Sequence, residues 1–70
     1  MQTVDTSGFP IGRALKVERV AAGATSTAIA AAVGISIGHL SHIEAGRRTA
    51  SDDLVTRIRA AIGAHRGRAA

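Results

Sequence analysis

The 70-residue sequence has no cysteine, no tryptophan and no tyrosine, and a single phenylalanine, Phe9. Without cysteine there is neither a disulfide framework nor a thiolate metal site, so a chain this short must be held by helix packing alone. The scarcity of aromatics removes the stacking platforms with which proteins bind single-stranded nucleic acid. Together with abundant alanine, it favours helices that approach closely on small residues over a strand-based design. No apolar run reaches the roughly 18 residues of a membrane span, and the first residues lack the basic start and apolar stretch of a secretion signal, so a cytosolic location is expected. Acidic residues are few: five Asp and Glu stand against nine Lys and Arg, a formal net charge of +4 at pH 7. Eight of the nine cations are arginine, a balance suited to a phosphate-bearing partner.

What is present is a chain divided by glycine. Residues 1–8 show no periodicity and read as a loose arm. Phe9-Pro10 opens a first helix with proline in the first turn, where its missing N–H costs nothing. That helix runs to about Ala22, with Ile11, Ala14, Leu15, Glu18, Arg19 and Ala22 on one face and Gly23 ending it. Thr25 or Ser26 can cap a second helix, Gly34 can end it, and Ser36 can cap a third. Ile29 and Val33 then share an apolar seam with Ile35, Leu40 and Ile43. After Gly46, the basic loop Arg47-Arg48-Thr49-Ala50 leads to Ser51, a cap for a fourth helix with Asp52 and Asp53 in its first turn. Leu54, Val55, Ile58, Ala61 and Ile62 form its apolar stripe and Gly63 is expected to close it. The reading is an all-α domain over residues 9–63, followed by a polar, basic tail over residues 64–70.

The second and third helices, joined by a tight turn, carry the most information. Outside their seam lie Ile37, Gly38, Ser41 and His42, a small, uncharged surface. On a basic chain, a short helix held in this way is a candidate reading head for the DNA major groove. His42 would then face base edges and His39 phosphate. The two histidines stand three apart on one helix, but no cysteine or third ligand accompanies them, so no metal site is expected. Ser41 can donate to or accept from any base, and Ile37 can meet a thymine methyl or be one of the scattered exposed apolar residues every protein has. Asp52 and Asp53 are explained by the helix dipole, and no set of nucleophile, base and orienting group appears. Catalysis and cofactors are not expected.

At Gly34-Ile35-Ser36, and again at Leu40-Ser41-His42-Ile43-Glu44-Ala45-Gly46-Arg47-Arg48, the sequence resembles the helix-turn-helix domains of phage Cro and repressor proteins, the XRE-type, lambda-repressor-like family. The likeness spans about Ile11 to Gly63. It implies a compact domain of four helices, or five as in longer relatives. It also implies base reading by Ile37, Gly38, Ser41 and His42, and phosphate contacts from Ser26, Thr27, His39, Arg47 and Arg48. A structural ion pair of Arg19 with Glu44 would clamp the third helix to the first. This chain has Ser26 where the family commonly has glutamine, and it lacks the long Gln, Arg or Asn side chains common at the reading positions. The implied function is a sequence-specific transcriptional regulator of double-stranded DNA in a bacterium or phage-infected cell. Such a protein would repress by occluding an operator and form a weak homodimer mainly on DNA, with no membrane or small-molecule partner. The alternative is a protein-interaction module of antirepressor or antitoxin type that keeps the fold and reads DNA weakly.

Overall fold

The computed structural model describes residues 9–69, and the loose arm expected at residues 1–8 lies outside them. Four helices follow one another: α1 (Phe9–Ala21), α2 (Ser26–Val33), α3 (Ile37–Glu44) and α4 (Asp52–Ala69). Among the described residues there is no strand, and the domain is all-α.

Local chemistry decides where three of these helices begin. Thr25 Oγ1 accepts the Ala28 N–H at 3.1 Å, Ser36 Oγ that of His39 at 3.0 Å, and Ser51 Oγ that of Leu54 at 3.1 Å. Each hydroxyl satisfies one of the N–H groups that a first helical turn leaves without an internal acceptor. Of the two residues able to cap α2, Thr25 is the one used.

The ends of α1, α2 and α3 share one device. Gly23, Gly34 and Gly46 sit at φ of 74°, 78° and 80°. At each, the glycine N–H returns to the carbonyl three residues back and the next N–H to the carbonyl five back, as in Gly34 to Ala31 at 3.3 Å and Ile35 to Ala30 at 3.0 Å. This left-handed cap satisfies two terminal carbonyls and strains any residue with a Cβ.

α4 departs from the expectation that Gly63 closes it, since the helix continues through Gly63 and Gly67 to Ala69. Gly63 is not among the glycines at positive φ. A helical glycine costs up to about 1 kcal/mol, and a helix already formed propagates through it because each added residue gains a hydrogen bond. The basic residues expected in a tail therefore extend α4.

Leu15, Ala24, Ile29, Ala30, Val33, Leu40, Ile43, Ile58 and Ile62 form the buried core. α1 and α2 each pack against both α3 and α4. Leu15, Ile29, Leu40, Ile43 and Ile58 are fully buried, and each such side chain contributes about 1.5–3 kcal/mol of burial free energy. Ile11, expected on the inner face of α1, is instead 40% exposed. Gly12 takes the inward place, and a Cβ built there would collide with the Ile43 carbonyl oxygen. The backbones of α1 and α3 meet too closely at this point for any side chain to come between them.

The two glycines therefore predict opposite outcomes in thermal denaturation. Gly12→Ala should lower the melting temperature, because the overpacking cost of about 1–3 kcal/mol exceeds the gain of up to about 1 kcal/mol in helix propensity. Gly63→Ala, where a Cβ meets nothing within 4 Å, should raise it. Shifts of the same sign would contradict the close approach at Gly12.

Candidate nucleic-acid interface

Between α2 and α3 the chain turns by 108° through Gly34, Ile35 and Ser36. The left-handed cap of α2 runs almost directly into the serine cap of α3, so the turn needs no further residues. Leu40 and Ile43 point inward, at 0% and 1% exposure. The helical period then places Gly38, Ser41 and His42 on the opposite side of α3, with Ile37, three positions before Leu40, at the border of the two sides. All four are exposed and His39 is half-buried beside them. A Cβ at Gly38 would meet nothing within 4 Å, which leaves the backbone of the first turn of α3 open to close approach.

What holds α3 in place is Arg19, near the end of α1. Its Nε donates to Glu44 Oε2 at 2.8 Å and its Nη2 to Glu44 Oε1 at 3.1 Å. Its Nη1 donates to the Ala24 carbonyl at 2.9 Å. The Arg19 and Glu44 side chains are 11% and 7% exposed, so both charges are largely withdrawn from water. A bidentate fork plus a carbonyl acceptor gives the guanidinium directed partners on three nitrogens, as a buried arginine requires.

One guanidinium therefore gathers the end of α1, the residue before the cap of α2, and the last residue of α3. Ser26 and Thr27 follow Ala24 by two and three positions, and Arg47 and Arg48 follow Glu44 by three and four. The same contacts therefore fix the backbone from which the start of α2 and the loop after α3 depart. Thr27, Arg47 and Arg48 are exposed and Ser26 is half-buried. The Arg47 N–H is tied to the His42 carbonyl at 2.9 Å, which fixes where the basic loop leaves the helix.

Several contributors had no signal in the apolar periodicity. The Ala24 carbonyl accepts from Arg19 although alanine offers no polar side chain to notice. Arg57 on α4 donates from Nη2 to the Val33 carbonyl at 2.8 Å, satisfying a terminal acceptor of α2. Thus α2 is held near both ends by arginines from other helices. Arg59 forks onto Glu18 with two contacts of 3.1 Å, joining α4 to α1 at the surface. Among the described residues, no three His, Cys, Asp or Glu side chains are grouped to hold a metal ion, and no single helix is long and apolar enough to cross a membrane.

Compared with known proteins, residues 10–70 match a family model described as a helix-turn-helix domain. No curated protein sequence matches the chain significantly.

The two inter-helix ion pairs should differ in weight. Glu44→Ala leaves Arg19 charged and largely buried, and should cost about 3–5 kcal/mol in urea denaturation. Glu18→Ala breaks a pair whose members are 37% and 45% exposed, and should cost at most about 1 kcal/mol. Equal losses would deny Arg19 its central position.

Proposed function

The chain belongs to the helix-turn-helix domain family, a DNA-binding architecture, and on that footing we propose that it is a sequence-reading transcriptional regulator of the Cro and repressor kind. The observation that carries this reading is the convergence on Arg19. A short helix with an uncharged outer face is clamped at its end by the same guanidinium that holds the residue before the α2 cap, and two exposed arginines follow within four residues of that clamp. DNA recognition needs both components, since phosphate contacts set position and base-edge contacts set sequence preference.

In this reading Ser26 and Thr27 meet phosphate through their hydroxyls and through the N–H groups of the first turn of α2. Arg47, Arg48 and His39 bind phosphate on the other side. Ile37, Gly38, Ser41 and His42 enter the major groove, Ile37 against a thymine methyl and Ser41 and His42 as hydrogen-bonding groups. Gly38 admits the helix close to the groove edge. The protein would act by occupying an operator and excluding polymerase, with two chains pairing weakly and mainly on DNA. Two such chains would favour inverted half-sites about 34–36 Å apart.

Arg47→Ala with Arg48→Ala should weaken binding to specific and nonspecific duplexes alike. The slope of log affinity against log salt should become shallower by roughly one to two units, as expected for losing about two phosphate contacts. Salt-independent binding by the native protein would favour a protein-interaction role over DNA occupancy.

Ser41→Ala and His42→Ala, both on exposed positions, should leave the melting temperature unchanged while removing preference at one or two base pairs, about 1–3 kcal/mol per good contact. Selection from a random duplex library measures this directly. The same ranked motif from native and doubly substituted protein would take α3 out of the reading role.

A further inference from the structure

The outer surface of α1 has a feature the DNA reading does not use. Val17 and Val20 are 62% and 59% exposed. Together with Ala21, Ala45, Arg13 and Lys16 they line an open groove of about 600 Å³ beside the end of α3. Glu44 also borders it, but its carboxylate is engaged by Arg19. Among the described residues neither Arg13 nor Lys16 takes part in an ion pair.

We propose that this groove docks a short, acidic amphipathic helix of a partner protein. Arg13 and Val17, and likewise Lys16 and Val20, are neighbours at i and i+4 on the helix surface. Cationic and apolar groups therefore run together along α1 from Arg13 to Ala21, about 12 Å at the helical rise. The complement is a helix with an apolar stripe for the valines and alanines and carboxylates on its flanks for the two cations. A second copy of this chain fits poorly. Where the groove meets its own copy, Arg13 and Lys16 would oppose their counterparts, and the Glu44 carboxylate that borders it is already taken by Arg19. A phosphate backbone would use the cations but leave both valines in water. The docking surface does not depend on the proposed DNA contacts.

The test is an NMR titration of the full chain with a synthetic acidic peptide of about 15 residues, long enough to become helical on binding. It carries leucines at helical spacing and glutamates on both flanks, and a control peptide replaces the glutamates with glutamine. Saturable shifts confined to residues 13–21 and Ala45 are expected. The dissociation constant should rise about tenfold or more with Arg13→Gln plus Lys16→Gln, and comparably with Val17→Ser plus Val20→Ser. All four side chains are exposed, so both variants should melt like the native protein. Equal affinity for the glutamine peptide, shifts elsewhere, or no shifts would overturn the proposal. So would weakened binding of a nonspecific duplex by the arginine and lysine variant with peptide affinity unchanged, which would assign the groove to phosphate. Self-association in sedimentation that disappears in the valine variant would assign it to a second copy and also overturn the proposal. Loss of duplex binding by Arg47→Ala with Arg48→Ala, measured in parallel, reports on the DNA reading separately.

Discussion

The Arg19 guanidinium is the constraint on which the remainder of the arrangement rests. Apolar contact among Leu15, Leu40 and Ile43 can bring α1 and α3 together, but burial is non-directional and tolerates rotation. A planar fork onto both oxygens of Glu44 sets an angle as well as a distance. Withdrawing two charges from water is costly, and that cost is offset only while all three guanidinium contacts are made. The pair is therefore sensitive to displacement of either helix or of the Gly23-Ala24 corner. The close backbone approach at Gly12 acts on the same two helices, seven residues before Arg19, so α3 is positioned against α1 by two independent contacts.

How much of this was readable in advance follows from how local each cause is. The serine and threonine caps and the three left-handed glycines depend on atoms within a turn of one another, and the sequence shows them directly. Gly63 looked like a fourth such corner and is not. The three true corners each lead on to a residue able to cap the next helix, Thr25, Ser36 or Ser51, whereas no such residue follows Gly63. The pairing of Arg19 with Glu44 spans 25 positions and could be anticipated only through the family resemblance. Gly12 and Arg57 act through backbone atoms of distant helices, and a carbonyl's neighbours cannot be inferred from periodicity. The candidate interface was legible as a set of outward positions on α3, because Leu40 and Ile43 leave the helix only one exposed side. The tie of the α1–α2 corner to the same guanidinium was not, since that runs through the Ala24 carbonyl.

Charge is distributed unevenly over these roles. Arg19, Arg57 and Arg59 are committed to partners within the fold, where they tie α1 to α3, α4 to α2, and α4 to α1. Arg47 and Arg48 are exposed on the loop after α3, and Arg13 and Lys16 on α1. The formal excess of +4 thus understates how far cation chemistry is divided between internal bracing and outward-facing surface. In a domain with so few aromatics, arginine's planar, multiply donating head does the directional bracing that stacked rings provide in other small cores.

The outer positions of α3 bear none of this internal duty. Ser36 starts the helix, Leu40 and Ile43 seat it, and Glu44 locks its end, while Ile37, Gly38, Ser41 and His42 lie outside those contacts. Substitutions at the four positions are therefore nearly neutral for folding, so mutation can wander there without first passing through an unfolded intermediate sequence. On the DNA reading proposed above, duplicate copies of such a gene diverge in what they recognise one residue at a time, each step still encoding the same scaffold.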